Sequence, residues 1–147
     1  MSAYFITGTG TDIGKTWLSC ALLKHWRAAG FTTRAYKPVL SGFDANNDGA
    51  SDAGQLLAAQ GIEVNANTVD EIAPSRFAAP LSPDMAAALE EREINFNELV
   101  SFTQQRCSRN SQCIALRLRN GLAVQCQHCT TIPTRKSSEQ SSKGLAA

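Results

Sequence analysis

The chain has 147 residues, of which 43% are hydrophobic and 18% charged, a composition typical of one globular domain. The net charge of +1 gives no indication of a nucleic-acid partner or of binding to an anionic membrane surface. No run approaches the roughly 20 apolar residues of a membrane-spanning helix. The first residues lack the basic region and the cleavage site of a signal peptide, so we expect a cytoplasmic protein.

Charge and composition change near residue 112. Residues 1–112 contain 9 Lys or Arg against 12 Asp or Glu, whereas residues 113–147 contain 5 against 1. Residues 130–143 include seven Ser or Thr, a composition that buries too little apolar surface to order itself. We therefore predict one folded domain over residues 1–112, followed by an aberrant, disordered tail over residues 113–147.

The first predicted elements are a strand, a helix and a second strand. Residues 3–7 are apolar and β-prone and stop at Gly8. Over residues 15–29 apolar side chains recur every three or four positions, which indicates an amphipathic helix that ends before Gly30. Residues 32–36 are again β-prone. This βαβ order predicts an α/β fold in which helices cover a parallel sheet.

Loops and three more helices are predicted further along the chain. Residues 41–49 form a polar loop, and Ser51 then caps a helix that runs to about residue 59. Residues 76–83 are a turn region punctuated by proline, and Pro83 begins a helix that runs to about residue 91. Asn95 is a favourable cap for the last helix.

A glycine-rich turn, Gly-Thr-Gly-Thr-Asp-Ile-Gly-Lys-Thr, joins the first strand to the first helix. In this context small residues let backbone N–H groups surround phosphate oxygens, and the helix directs its positive end at them. Lys15 can neutralise phosphate charge, and the Thr16 hydroxyl suits Mg²⁺. Five residues, not the usual four, separate Gly8 from Gly14. The alternative is a glycine-rich connection without a ligand, but the pattern strongly indicates a nucleotide site.

Two further candidates follow the second strand. Lys37 comes directly after it, with Ser41 four residues later, and ligands bind at the carboxyl ends of strands in open parallel sheets. Lys37 can hold a developing anion and Ser41 can orient a polar substrate group, although a lysine at a strand end is often only a surface residue. Asp52 is a candidate Mg²⁺ ligand, or simply an acidic residue favoured in a first helical turn.

Four separated motifs together resemble the dethiobiotin synthase family. They are residues 5–16, 36–42, 51–52 and 77–83, and they share the order and spacing of that family, including the five-residue interval in the glycine-rich turn. The resemblance implies a P-loop NTPase-type, three-layer α/β fold. It also implies an ATP- and Mg²⁺-dependent ligase that closes the ureido ring of dethiobiotin from 7,8-diaminononanoate and CO₂ in biotin synthesis. The resemblance further implies a homodimer.

The resemblance also implies roles for individual residues. The ATP contacts would be Asp12, Ile13, Gly14, Lys15, Thr16, Trp17 and Asp52. Lys15 and Lys37 would be catalytic and stabilise carbamate and phosphoryl charge. Thr16 and Asp52 would hold Mg²⁺. Thr11 and Ser41 would contact the substrate.

The sequence departs from the family pattern after residue 112. The family has an apolar strand that leads into Glu-Gly-Ala-Gly-Gly, whereas residues 113–124 place Arg117 and Arg119 in the strand and no glutamate before Gly121. We therefore predict a carboxyl-terminal half that is truncated or scrambled, through a frameshift or a degenerate tail, and impaired activity.

Three other interpretations stay open. The chain can be a non-catalytic nucleotide-binding remnant, or a P-loop ligase of the cobyric-acid-synthase type, or its tail can be a basic segment for nucleic acid. Chromosome-partitioning ATPases are disfavoured, because residues 8–13 lack the extra lysine that those proteins carry.

Overall fold

The computed structural model describes residues 3–8, 10, 12–107 and 112–116. The strands are β1 (Ala3–Ile6), β2 (Thr33–Tyr36), β3 (Val39–Ser41), β4 (Ser75–Phe77) and β5 (Gln112–Leu116). The helices are α1 (Lys15–Ala28), α2 (Asp52–Gln60), α3 (Ala66–Ile72), α4 (Pro83–Leu89) and α5 (Phe96–Cys107), with a 3₁₀ turn at Asp48–Ala50. Strands and helices alternate over much of the chain, which confirms the predicted α/β class.

The described strands pair in parallel and form two small sheets. In the first sheet β5 lies between β1 and β2, with Ile6 opposite Leu116 and Tyr36 opposite Ala115. In the second sheet β3 pairs with β4. Because β1 and β2 run in the same direction, the segments that follow them leave from the same edge of the sheet. The parallel βαβ prediction is confirmed, with one strand inserted between its two members.

Strand β5 continues past the boundary predicted after residue 112. Cys113 lies opposite Ala3 on one side and Arg34 on the other, so residues 113–116 belong to the first sheet. The described part of this strand covers Gln112–Leu116. The division into a domain and a tail stays a prediction, and residues 117–147, which include Arg119, lie outside the described residues.

Helix α2 lies at the centre of the larger hydrophobic cluster. Its side chains Leu56 and Leu57 are at most 1% exposed and pack with Leu23 of α1 and Val69 of α3. Burying a leucine or valine contributes about 1.5–3 kcal/mol. This packing fixes α2 against α1 and β2. It therefore determines where the first residue of α2, Asp52, lies relative to the glycine-rich turn.

The predicted helices agree with the structure to within one or two residues, whereas three short elements were missed. In α5 the side chain of Asn95 accepts hydrogen bonds from the N–H groups of Asn97 (3.1 Å) and Glu98 (3.3 Å), which confirms the predicted cap. The prediction of a turn region beginning at residue 76 was wrong at its start, since Ser75–Phe77 forms β4. Strands β3 and β4 have three residues each and depend on pairing with one another, and α3 was also missed.

None of the helices in the described part of the chain combines the length and the apolar character that crossing a lipid bilayer requires.

Candidate phosphate-binding site

The turn between β1 and α1 adopts backbone angles that suit glycine. Gly14 has φ of 85° and Asp12 has φ of 56°, both in the left-handed region. Gly14 is the N-cap residue of α1, and its carbonyl accepts a hydrogen bond from the N–H of Leu18 at 2.8 Å. A glycine brings no side chain to cap the first N–H groups of the helix. Those groups therefore face outward and are suited to an anion.

The ammonium group of Lys15 bends back over this turn. It donates a hydrogen bond to the backbone carbonyl of Gly10. The carbonyl of Lys15 in turn accepts a hydrogen bond of 2.8 Å from the hydroxyl of Ser19, which is completely buried. Lys15 is thus placed over the loop, where phosphate oxygens would lie. Its neighbour Thr16 is half-buried, and Thr11 lies outside the described residues.

Lys37 and Asp52 form a direct ion pair. The ammonium group of Lys37 contacts the carboxylate of Asp52, and the side chains are 14% and 36% exposed respectively. The backbone N–H of Lys37 donates to the carbonyl of Ile72 at 2.9 Å, which holds the residue at the end of β2. The two residues were singled out separately from the sequence, and the structure brings them together.

The position of Asp52 follows from the cap of α2. Ser51 accepts a hydrogen bond from the N–H of Gly54 at 3.0 Å and donates one to the carbonyl of Asp48 at 2.6 Å. The predicted cap is confirmed. A Cβ atom on Gly54 would lie 2.2 Å from the Asp48 carbonyl oxygen, so the 3₁₀ turn packs against α2 at a distance that only glycine permits.

The environment of Lys37 disfavours its charge. Burial lowers the pKa of Lys37 from the ordinary 10.5 to about 8, and the positive charge of Lys15 acts in the same direction. The carboxylate of Asp52 favours the ammonium form, but this carboxylate is over a third exposed and water screens it. The predicted convergence of Lys15 and Lys37 at one binding site stays a prediction.

Ser41 lies at the carboxyl end of β3, in the second sheet. It is half-buried and stands opposite Phe77 of β4. The next residue, Gly42, has φ of 69° and donates its N–H to the carbonyl of Ala79 at 3.0 Å. The chain therefore turns sharply directly after Ser41. Its predicted substrate contact stays a prediction.

Two of the predicted ATP-contacting side chains lie in solvent. Trp17 is 74% exposed and Ile13 is 56% exposed, on either side of the start of α1. Both lie next to the phosphate-binding loop in the chain. Their contacts with a nucleotide are a prediction of the sequence.

Gln60 is a residue of this region that the sequence analysis missed. It is 9% exposed, its side-chain oxygen accepts the N–H of Ala35 in β2 at 3.0 Å, and its side-chain nitrogen donates to the carbonyl of Leu56 at 3.0 Å. Helix α2 thus contacts the end of β2 twice, through Asp52 near its start and Gln60 at its end. A glutamine on the apolar face of a predicted helix was the available signal.

The structure also has a cleft of about 560 Å³ near the second sheet. Its lining residues are Phe43, Asp44, Ala45, Arg76, Phe77, Ala78 and Glu90. Two charged side chains of this lining contact other groups of the same chain. Arg76 forms an ion pair with Asp70, and Glu90 accepts a hydrogen bond of 2.6 Å from the N–H of Ala78. The cleft is therefore braced by its own hydrogen bonds and ion pairs.

The residues at the loop suit a magnesium ion. Thr16 supplies a hydroxyl oxygen and Asp52 a carboxylate oxygen, both hard ligands of the kind that Mg²⁺ takes in proteins. Mg²⁺ commonly uses one or two protein oxygens and completes its shell with water and substrate phosphates. The donor set therefore fits this ion, which would share or compete for the Asp52 carboxylate with the ammonium group of Lys37.

Comparison with the sequences of known proteins identifies a family and several relatives. The model of the family described as "AAA domain" matches residues 2–112. An ATP-dependent dethiobiotin synthetase BioD of Phenylobacterium zucineum is 49% identical over 109 residues, covering 74% of this chain and 47% of that protein. The BioD of Acidiphilium cryptum is 50% identical over 105 residues, 71% of this chain and 47% of that protein.

A more distant relative gives the same picture. BioD 1 of Escherichia coli strain K12, also an ATP-dependent dethiobiotin synthetase, is 44% identical over 93 residues, 62% of this chain and 40% of that protein. The chain spans about half the length of the first curated relatives that it matches.

Proposed function

Because the chain belongs to the AAA domain family, we propose that it works as an ATP-dependent dethiobiotin synthetase, a ligase of biotin synthesis. The observation that supports this best is the placement of Lys15 over the glycine-rich turn, together with the ion pair between Lys37 and Asp52. Several relatives at 41–50% identity carry that name. Phosphate binding by the turn is the first requirement of the proposed activity.

The proposed reaction joins one carbon atom to two amines of 7,8-diaminononanoate. One amine nitrogen adds to CO₂ and loses a proton, which gives a carbamate. A carbamate oxygen then attacks the terminal phosphorus of ATP, the bond to the bridging oxygen breaks, and ADP leaves. The second amine attacks the carbon of this mixed anhydride, loses a proton and displaces phosphate, which closes the ureido ring.

Within this proposal the two lysines stabilise the negative charge that moves between substrates. Lys15 lies over the loop and would hold the terminal phosphate. Lys37 lies at the end of β2 and would hold the carbamate and the oxygen that attacks phosphorus. Most of the barrier to phosphoryl transfer is overcome by such positioning and charge stabilisation. Thr11 and Ser41 would orient the diamine.

Mg²⁺ would be held by Thr16 and Asp52 together with phosphate oxygens. When bound, the ion supplies positive charge at the transferred phosphoryl group. The first-turn N–H groups after Gly14, with the residues from Asp12 to Trp17, would surround the phosphates. We further propose that the protein is a homodimer, that it is located in the cytoplasm and that its substrates are small molecules.

An assay with labelled bicarbonate tests this function. We expect the chain to form an acid-stable, labelled product from 7,8-diaminononanoate only when both ATP and Mg²⁺ are present. Lys37→Met should abolish the product and leave ATP affinity within about threefold. Lys15→Met should weaken ATP binding at least about tenfold, or about 1.4 kcal/mol. Lys24→Met, an exposed lysine on α1, is the matched control and should behave like the wild type.

This assay, together with measurements of ATP binding and ATP turnover, separates the competing functions. Binding of ATP without any labelled product would contradict the ligase and favour a non-catalytic nucleotide-binding module. ATP-dependent turnover with an amide donor, and none with the diamine, would favour a ligase of the cobyric-acid-synthase type.

A further inference from the structure

The two tryptophans of the chain have opposite surroundings on the same helix. Trp26 packs against Tyr4, with ring centroids 4.9 Å apart. Trp17, in the first turn of α1, is 74% exposed. An indole is a large, mainly apolar group that proteins tend to bury or to pair with another ring. Trp17 therefore presents an aromatic face to solvent directly beside the phosphate-binding loop.

Two neighbours make this exposed face larger. Ile13, in the loop, is 56% exposed, and Leu18, the next residue of α1, is 45% exposed. Single exposed apolar residues are ordinary, but an apolar group around an anion-binding turn indicates a ligand with one charged and one apolar end. A nucleotide has these two ends, since its phosphates are charged and its base is a flat aromatic ring.

Helix geometry directs Trp17 toward such a ligand. Each Cα–Cβ bond in an α-helix tilts toward the amino terminus, so a side chain in the first turn lies over the end of the helix. In α1 this end is Gly14, where the first N–H groups face outward. A triphosphate bound there projects its sugar and base away from the loop, along the surface that the indole covers.

We propose that Trp17 is a stacking surface for the base of the bound nucleotide and a determinant of nucleotide affinity. This inference rests on the proposed function, because it requires phosphates at the loop. It adds a contact of different chemistry, in which the loop and Lys15 bind phosphate and Trp17 binds the aromatic ring. Stacking of a base on an aromatic side chain is tolerant of base identity, so Trp17 favours nucleotides over bare polyphosphates.

Two ligands that differ only in the nucleoside provide the test. The affinities of ATP and of inorganic tripolyphosphate, each with Mg²⁺, are measured by calorimetry for the wild type, Trp17→Leu and Trp17→Phe. We expect Trp17→Leu to weaken ATP about tenfold and to leave tripolyphosphate unchanged. Trp17→Phe retains a ring and should lose less than about threefold. ATP, but not tripolyphosphate, should quench tryptophan emission in the wild type.

Matched controls follow from exposure. Phe31→Leu removes a ring that is 53% exposed beyond the opposite end of α1, away from the loop, and should leave both affinities unchanged. Since Trp17 is largely in solvent, its substitution should also leave the thermal unfolding midpoint unchanged.

Each result has one meaning. Equal losses for ATP and tripolyphosphate in Trp17→Leu, or no loss for either, would overturn the stacking role. A Trp17→Leu variant that sediments as a smaller species than the wild type would overturn it in favour of contact with a second copy of the chain. If the wild type binds neither ATP nor tripolyphosphate, the proposed function itself fails, and the stacking role with it.

Discussion

The ammonium group of Lys37 forms a direct ion pair with the carboxylate of Asp52. These two residues are proposed for different tasks, one as the cation that holds the carbamate and the other as a magnesium ligand. A metal ion at Asp52 would compete with Lys37 for the negative charge of this carboxylate. A weaker ion pair would leave the ammonium group more available to an anionic substrate, and metal binding would then be coupled to the availability of Lys37.

Removal of Lys37 should tighten the binding of free Mg²⁺. In Lys37→Met the metal no longer competes with an ammonium group for Asp52. We expect about a fivefold gain in Mg²⁺ affinity without nucleotide, because partly exposed ion pairs contribute up to about 1 kcal/mol. Isothermal calorimetry measures the affinity directly. Lys24→Met should leave it unchanged, and an equal gain in both variants would mean that overall charge, not Asp52, is responsible.

The stability of the protein should rise as the pH increases from about 8 toward 10.5. The pKa of Lys37 is about 8 in the folded protein and near 10.5 in the unfolded chain. In this window the unfolded chain binds more protons than the folded protein, so raising the pH favours folding. Well below pH 8, Lys37 is protonated in both the folded and the unfolded state. There it makes no contribution to the pH dependence of the free energy of unfolding.

Urea unfolding at pH 7.5 and 9.5 measures this contribution. We expect the free energy of unfolding to increase by about 2 kcal/mol more in the wild type than in Lys37→Met, since one pKa unit corresponds to about 1.4 kcal/mol. Other groups also titrate in this range, and the difference between the two proteins removes their effect. Parallel pH profiles for the two proteins would contradict the assigned environment of Lys37.

Gly54→Ala should be strongly destabilising. The added Cβ would lie 2.2 Å from the carbonyl oxygen of Asp48 and 2.8 Å from the Cα of Gly49, and both are backbone atoms. The 3₁₀ turn must then move away from α2, at a cost of about 1–3 kcal/mol. Gly49→Ala is the control, because its Cβ would have open space. Thermal unfolding should separate the two variants, and similar midpoints would contradict the close packing.

Gln60→Leu should destabilise the protein despite its apolar replacement. It removes the acceptor for the N–H of Ala35, and a buried unpaired donor costs about 1–3 kcal/mol. Gln55→Leu on the same helix is the control, because Gln55 is exposed and we expect a change below about 0.5 kcal/mol. Chemical denaturation measures both. If the two variants are equally stable, the side chain of Gln60 does not support β2.

Local sequence patterns were sufficient where one segment determines its own structure. The helix from Lys15 to Ala28 follows from the spacing of its apolar residues, and Ser51 and Asn95 cap their helices through their own side chains. The glycine-rich turn was likewise recognised because its neighbours are a strand and a helix. These features depend on contacts within a few residues.

Features that depend on distant segments were not accessible in the same way. Strand β4 exists because it pairs with β3, and neither has a strong pattern of its own. The ion pair between Lys37 and Asp52 joins the ends of two elements whose approach is set by the packing of α2. Gln60 looked like an ordinary helix residue until Ala35 was placed against it.

Strand β5 joins the two halves of the candidate site, and its position in the sheet affects the order in which the protein folds. The loop with Lys15 follows β1 and Lys37 follows β2, while β5 lies between these strands and comes from a much later part of the chain. During synthesis, both lysines leave the ribosome well before the strand that links them. The site therefore matures late, by insertion of a segment between two earlier ones, and such non-local closure slows folding.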